Sequence, residues 1–332
     1  MNLYEQQASN RRRTWVVMSV FVAFLFLLGY GFDLFYLGVR VPIAAFVALV
    51  VGAASSAAGF YSGDRAVLAS AGAVPVETLE SAAPSDADRL KLKQLDNVVD
   101  EMAIASGLPK PKAYVVPDPD PNAFATGRDP AHASIAVTRG LLDALNREEL
   151  QAVVAHEMSH VRNYDSRLMT VVAALVGAIV LLADWAARGM QFGGRGRRLS
   201  RNDKSGGGIL GVVLLVVWLA AILLAPLIGQ LLAMMVSRRR EYLADASAAE
   251  LTRNPLALAG ALQRIEFAAE PTRSIKRGTA HLCIADPLGR KAGLREGLVA
   301  DLFASHPPMV KRIAALRAMS YASKTTGERS TA

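Results

Sequence analysis

The sequence predicts a mainly α-helical, multi-pass membrane protein that also contains a small β-sheet. Of its 332 residues, 52% are hydrophobic and only 20% are charged, whereas soluble domains carry about 25% charged residues. The hydrophobic residues are concentrated in four long blocks separated by polar segments. Within the polar segments, both helical and strand-like periods of hydrophobic residues occur. This composition excludes a chain that is disordered over most of its length.

The net charge indicates which partners the protein binds, and the cysteine content excludes a disulfide within the chain. A net charge of +8 is typical of proteins that bind nucleic acid or anionic lipid, and the positive mean hydropathy of +0.27 favours lipid. We therefore expect a lipid bilayer as a partner and no nucleic acid, while the oligomeric state is not predicted. The single cysteine, Cys283, excludes an intrachain disulfide.

The first two hydrophobic blocks, residues 15–32 and 41–61, contain no charged residue. Each falls within the roughly 17–25 residues that a membrane-spanning helix needs. Arg11, Arg12 and Arg13 precede the first block and predict a cytoplasmic N-terminus, because cytoplasmic flanks are enriched in basic residues. A cleaved signal peptide is the alternative interpretation of the first block, although a second span follows after a short loop.

The third block, 168–183, is marginal in length, whereas the fourth, 209–236, can span with a tilt or a kink at Pro226. The loop between them is rich in glycine and arginine. Its arginines disagree with a position outside the cell, because loops on that side usually contain few basic residues. The two blocks predict a hydrophobic hairpin, and both a spanning and a non-spanning hairpin remain open. The predicted regions are the two-helix region 1–62, the first part of a cytoplasmic domain 63–167, the hairpin 168–236, the second part of the domain 237–322 and a polar tail 323–332.

The polar segments predict the helices and strands of the cytoplasmic domain. An amphipathic helix covers 86–106 and is stopped by Gly107 and Pro109, whereas 77–85 before it has the composition of a linker. Short strands are predicted at 113–116, around Phe124 and at 134–138. Further helices are predicted at 147–163, 238–251, 255–268 and 308–319.

The segment AHEMSHV, residues 155–161, indicates metal chemistry. His156 and His160 are four residues apart in a predicted helix, so both imidazoles lie on one face and can bind one metal ion. Zinc suits two neutral imidazoles, and Glu157 can act as the general base on a metal-bound water. A surface helix that carries two histidines without a metal is the alternative.

A zinc hydrolase also needs a third protein ligand, and the segment EYLAD, residues 241–245, can supply it. Glu241 offers a carboxylate. Asp245, one helical turn later, can accept a hydrogen bond from a liganding histidine and fix its tautomer. Alone, this segment has the composition of an ordinary charged helix. Because the predicted hairpin separates Glu241 from His160, the chain must leave and return to the same side for these ligands to meet.

The order of these motifs resembles the HtpX-type membrane zinc metalloproteases, which are relatives of the CAAX prenyl proteases. The likeness includes AHEMSHV, the hydrophobic hairpin and SRRREYLADA, together with PNAFATG at 121–127 and SHPPMVKRI at 305–313. It covers about residues 1–320. The resemblance implies a zincin, gluzincin-like protease domain with one Zn²⁺ per chain. It assigns the metal ligands to His156, His160 and Glu241, the general base to Glu157 and the support of a ligand to Asp245.

The resemblance also implies roles for residues elsewhere in the chain. Asn122, Ala123 and Phe124 would form an edge segment beside the cleft, where an extended substrate pairs through its backbone. A turn with a core phenylalanine is the alternative. His306 would lie near the metal, as an oxyanion donor or as a cover of the metal, and a histidine at a helix start is the alternative. Arg312 either orients an acidic partner or belongs to a solvated helix face.

The function implied by the resemblance is a membrane-embedded zinc endopeptidase that cuts misfolded or damaged membrane proteins in quality control under stress. It implies a multi-pass protein of the plasma (inner) membrane with its active site on the cytoplasmic side. Two alternatives remain open. One is a peptidase dedicated to a specific peptide or a lipidated tail. The other is a non-catalytic membrane adaptor that retains the motif, which would keep its function in a Glu157→Gln variant.

Overall fold

The computed structural model describes residues 3–33, 42–175, 238–268, 274, 282–285 and 307–329. The helices are α1 (Leu3–Phe32), α2 (Ile43–Ser70), α3 (Val76–Ser81), α4 (Asp86–Ser106), α5 (Arg139–Ala144), α6 (Arg147–Arg162), α7 (165–175), α8 (Arg238–Thr252), α9 (Pro255–Glu266) and α10 (Met309–Arg329). The strands are β1 (Val74–Pro75), β2 (Lys112–Val116), β3 (Ala123–Gly127) and β4 (Ala133–Thr138). A mainly helical fold with a small β-sheet is confirmed. Most of the predicted hairpin, residues 176–236, and His306 lie outside the described residues.

Helices α1 and α2 are long and apolar enough, by length and composition, to cross a membrane over Gln7–Gly31 and Ile43–Ser70. They lie antiparallel, with Gly29 near the end of α1 against Ala44 near the start of α2. Large apolar side chains on both helices remain exposed, and Leu27 is 62% exposed. Exposed apolar side chains in this number are typical of helices that face lipid. Helix α2 runs without interruption through the predicted region boundary after residue 62.

The sheet has four strands in the order β1-β2-β4-β3. Strand β4 pairs in parallel with β2 and antiparallel with β3, while β1 pairs antiparallel with β2. The sequence predicted β2, β3 and β4 but not β1, which has only two residues. The predicted linker at 77–85 is wrong up to Ser81, because α3 follows Pro75 directly and buries Val76 in the hydrophobic core.

Helix α6 passes through the centre of the domain, where it contacts α4, α8, α9 and β3. It begins at a capping box in which the side chains of Asn146 and Glu149 each accept a hydrogen bond from the other residue's backbone N–H. All residues from 152 to 161 are buried. A helix that is buried on every side can place polar side chains in a dry interior. The centre of α6 is therefore a suitable position for a metal site.

Candidate metal centre

Three side chains from α6 and α8 bring their ligand atoms together in the core of the domain. Nε2 of His156 lies 3.2 Å from Nε2 of His160. The two carboxylate oxygens of Glu241 lie 3.6 Å from these nitrogens, one from each. In a tetrahedral site with bonds of about 2.0–2.1 Å, ligand atoms are roughly 3.3–3.4 Å apart. Two nitrogens and a carboxylate at this spacing fit an ion of the size and preference of zinc.

The local sequence explains why these groups meet. His156 and His160 are one helical turn apart on α6, and their rings make an edge-on contact with centroids 4.8 Å apart. Helix α8 carries Glu241 in its first turn and packs along α6. All three side chains are buried, so the site is shielded from bulk water. The three predicted ligands thus form a cluster that can hold a metal ion.

His156 is supported from behind by a buried ion pair. Nδ1 of its ring lies 3.0 Å from Oδ1 of Asp245. Arg312 donates to both oxygens of Asp245, from Nη2 at 2.7 Å and from Nε at 2.8 Å. Arg312 also donates from Nη1 to the backbone oxygen of Ile284 at 3.0 Å. Because Arg312 is 0% exposed, the interpretation as a solvated helix face is wrong, and Arg312 instead contacts an acidic partner, Asp245.

This pairing fixes the charge of the groups behind the site. Burial by itself raises the pKa of Asp245, but Arg312 outweighs burial and lowers this pKa to about 2. Burial by itself lowers the pKa of His156, but Asp245 and Glu241 outweigh it and raise the pKa to about 9. Asp245 is therefore charged at neutral pH and favours a proton on Nδ1 of the ring. Nε2 is therefore the nitrogen that a metal would take, after it displaces the second proton of the ring.

His160 has a corresponding support that the sequence analysis missed. Nδ1 of His160 lies 3.3 Å from Oδ2 of Asp165, at the start of α7. The other oxygen, Oδ1, accepts hydrogen bonds from Nη1 of Arg240 at 3.0 Å and from Nδ2 of Asn10 at 2.7 Å. The sequence signal was weak, because residues five apart do not share a face in an unbroken helix. The histidines of the cluster therefore each lie against a buried carboxylate.

Glu157 is adjacent to the first histidine in the chain and is 1% exposed. Burial raises the pKa of its carboxyl group, and the neighbouring histidines offset this only in part. A raised pKa suits a carboxylate that accepts a proton and later releases it. The chemistry of this side chain is thus compatible with a general base.

The predicted substrate edge comprises the start of β3, one of the two outer strands of the sheet, and the residue before it. Ala123 and Phe124 are buried, and the outward backbone of Ala123 accepts a hydrogen bond from the N–H of Ile284 at 2.9 Å. Phe124 and Cys283 form an antiparallel bridge beside it. The side chain of Asn122 donates to the backbone oxygen of Ala285 at 3.1 Å. In this arrangement residues 282–285 of the same chain pair with the edge.

Comparison with known proteins agrees with the geometry. The sequence profile of Peptidase family M48 matches residues 89–320. A "Protease HtpX homolog" of Caldanaerobacter subterraneus subsp. tengcongensis is 43% identical over 318 residues, which cover 96% of this chain and 98% of the relative. A "Protease HtpX homolog" of Thermoanaerobacter pseudethanolicus is 41% identical over 321 residues, with coverage of 96% and 98%.

Among solved structures, the crystal structure of S. mikatae Ste24p aligns with 94% of this chain and 67% of its own chain. The TM-score is 0.46 and the sequence identity is 18%.

Proposed function

This chain belongs to Peptidase family M48, and from that premise we propose that it is a zinc endopeptidase acting on misfolded or damaged membrane proteins. As a member of the family it is a membrane-associated metalloprotease, and its substrates are polypeptides. The observation that best supports zinc hydrolysis is the buried cluster of His156, His160 and Glu241, whose spacing suits a tetrahedral ion. The quality-control role is consistent with the name of the relatives.

Different residues of the chain have different roles in the proposed hydrolysis. When bound by the three ligands, zinc would polarise the scissile carbonyl group and lower the pKa of water. Glu157 accepts the proton of the attacking water and passes it to the leaving amine. Asp245 and Arg312 hold His156 in the orientation that a ligand requires. His306 remains a predicted oxyanion donor or metal cover.

The test of this function is Glu157→Gln in the full-length protein, purified in detergent. We expect the variant to keep bound zinc and to lose casein cleavage, because the amide preserves the shape of the side chain but cannot accept the proton. Glu148→Gln, at an exposed position on α6, is the matched control and is expected to keep both properties. Cleavage by Glu157→Gln at the wild-type rate would refute the base, and a wild type without zinc would refute the zinc site.

Two results would indicate a different role on the same site. If the wild type binds zinc and cleaves one defined peptide or lipidated tail but neither casein nor unfolded membrane proteins, the chain is a dedicated processing peptidase. If Glu157→Gln retains the cellular function of the wild type, the chain is an adaptor.

We place the active site on the cytoplasmic side of a multi-pass protein of the plasma (inner) membrane. Asn10, near the start of α1, lies in direct contact with Asp165 beside the metal cluster. The metal site and the N-terminal end of α1 must therefore be on one side of the bilayer. Arg11, Arg12 and Arg13 favour the cytoplasm for that end. Cysteines introduced next to these arginines should be labelled by a membrane-impermeant reagent only after the cells are opened.

We also propose that an extended substrate pairs with the edge of β3 at Asn122, Ala123 and Phe124, in the position that 282–285 holds. Phe124 and Cys283 lie opposite each other without a direct backbone hydrogen bond, since the bond joins their neighbours. In such pairs the Cα atoms are about 4.5 Å apart, a separation that a disulfide can bridge. A Phe124→Cys variant is therefore expected to form a disulfide with the single cysteine of the chain.

Oxidised Phe124→Cys is expected to lose casein cleavage and to regain it on reduction, because the disulfide holds 282–285 on the edge. Phe124→Cys combined with Cys283→Ser cannot form the bond and serves as the control. Unchanged cleavage by the oxidised single variant would show that the substrate does not replace this segment.

A further inference from the structure

We propose that the first helix of the chain completes the metal centre, because Asn10 positions Asp165 and thereby the metal ligand His160. This inference rests on the proposed function, since it takes His160 as a ligand. On this proposal, α1 supports the metal site in addition to anchoring the chain in the membrane. Residues near its N-terminal end are part of the support that a working metal site requires.

A break in the helix brings Asp165 to the ring of His160. In an unbroken helix, residues five apart point about 140° away from each other. Here α6 ends at Arg162, and Tyr164 adopts a left-handed backbone conformation with φ of 58°. A side chain other than glycine rarely adopts this conformation, so the surrounding contacts must hold it. The new direction of the chain allows Asp165 to face Nδ1 of His160 at 3.3 Å.

Asn10 holds this break from the neighbouring helix. Its Nδ2 donates to the backbone oxygen of Asn163 at 2.9 Å and to Oδ1 of Asp165 at 2.7 Å. The side chain of Asn10 thus contacts both the residue that follows α6 and the first residue of α7. Asn10 is 1% exposed, and a buried amide is stable only when it is hydrogen-bonded. Its two bonds join segments more than 150 positions apart in the sequence.

The distribution of donors decides which oxygen of Asp165 faces the histidine. Asn10 and Arg240 both donate to Oδ1, so Oδ2 is left to Nδ1 of His160. A carboxylate at Nδ1 keeps the proton on that nitrogen and turns Nε2 toward the metal. Among the described residues, removal of Asn10 leaves Arg240 as the donor to Oδ1 of Asp165, so that the carboxylate can rotate away from the ring. The expected consequence is weaker metal binding.

Gln7 provides a matched control on the same helix. Its Nε2 donates to the backbone oxygen of Arg162 at 2.9 Å, one turn away from Asn10. Gln7→Ala therefore removes a contact between α1 and the end of α6 that is directed at the backbone and not at Asp165. A purely structural role of α1 would give Gln7→Ala and Asn10→Ala similar effects.

The experiment measures the zinc dissociation constant by competition with a chelator, using the full-length protein in detergent. Loss of a carboxylate that supports a ligand typically weakens metal binding by about 10–100-fold, which we expect for Asp165→Asn. We expect Asn10→Ala to weaken zinc binding by roughly 5-fold or more, and Gln7→Ala to remain within about twofold of the wild type. The double variant of Asn10→Ala and Asp165→Asn should bind zinc no more weakly than Asp165→Asn alone, because Asn10 acts through Asp165.

Three outcomes overturn the inference. One is an unchanged zinc dissociation constant for Asn10→Ala together with a lower unfolding temperature of the metal-free protein, since this describes a structural contact. Another is a double variant weakened by the full product of the single effects. The third is a wild type that binds no zinc, which removes the proposed function as well. If Asn10→Ala does not fold, the isosteric Asn10→Asp replaces it in the experiment. We expect Asn10→Asp to bind zinc more weakly than the wild type, because its carboxylate repels Asp165.

Discussion

Replacement of Arg312 by methionine tests the support behind His156. The guanidinium of Arg312 is completely buried and makes two hydrogen bonds of 2.7 and 2.8 Å with Asp245. Methionine has a similar length but no charge and no donor. The Asp245 carboxylate would remain buried without the guanidinium, and it would no longer be held in place against the ring of His156. We expect the variant to be less stable and to bind zinc more weakly.

The size of the effect follows from the burial and charge of the pair. The pKa of Asp245 is lowered from 3.8 to about 2, which corresponds to about 2 kcal/mol of stabilisation of the carboxylate. Because the folded-state pKa lies below 3.8, this contribution is fully present at neutral pH and is lost only as the pH falls toward 2. Removal of one partner from a buried ion pair typically costs about 3–5 kcal/mol. A loss of about 2–5 kcal/mol corresponds to a decrease in Tm of roughly 5–15 °C.

The assay combines thermal unfolding with chelator competition for zinc. Arg317→Met is the matched control, because Arg317 lies on the same helix and its hydrogen bond to Gln263 is exposed. We expect Arg312→Met to lose about 10–100-fold in zinc affinity and Arg317→Met to lose almost none. If the two variants unfold at the same temperature and bind zinc equally, the ion pair does not support the metal site and the reasoning is refuted.

Two further predictions concern proton release and the sheet edge. In metal-depleted protein the pKa of His156 is raised from 6.5 to about 9, so zinc must displace a proton from this ring below pH 9. The zinc affinity should therefore rise by about tenfold per pH unit between pH 6.5 and pH 9. A zinc affinity that is independent of pH would contradict this prediction. Gly127→Ala should destabilise the protein much more than Gly72→Ala, as measured by thermal unfolding. Both glycines have positive φ, but only at Gly127 would the added Cβ overlap the backbone of His132, so an equal loss in the two variants would refute the steric argument.

The features that the sequence predicted well are those specified by neighbouring residues. Helix α4 has the bounds expected from the pattern, because Ser85 caps its start and Gly107 ends it in the left-handed conformation. The spacing of His156 and His160 follows from the helical period alone. Glu241 required the additional argument that a zinc site needs a third ligand.

The features that the sequence did not predict depend on contacts between distant segments. The sequence left the acidic partner of Arg312 unidentified, because Arg312 and Asp245 are 67 residues apart. It gave no sign of the contact between Asn10 and Asp165, which are 155 apart. No periodicity relates such residues. Asp165 was also hidden by the backbone break at Tyr164, since a helical pattern places it on the wrong face. Strand β1 was missed because two residues are too few to show an alternation.

These long-range contacts give the metal site its dependence on the whole fold. One histidine is supported through Asp245 by Arg312 of α10, and the other through Asp165 by Asn10 of α1. Helices from both ends of the described chain therefore have to be in place before both imidazoles are correctly oriented. A ligand that binds only this arrangement stabilises it. Zinc binding and the docking of α1 and α10 should consequently strengthen each other, so a change that detaches the first helix from α6 should weaken the site without altering any metal ligand.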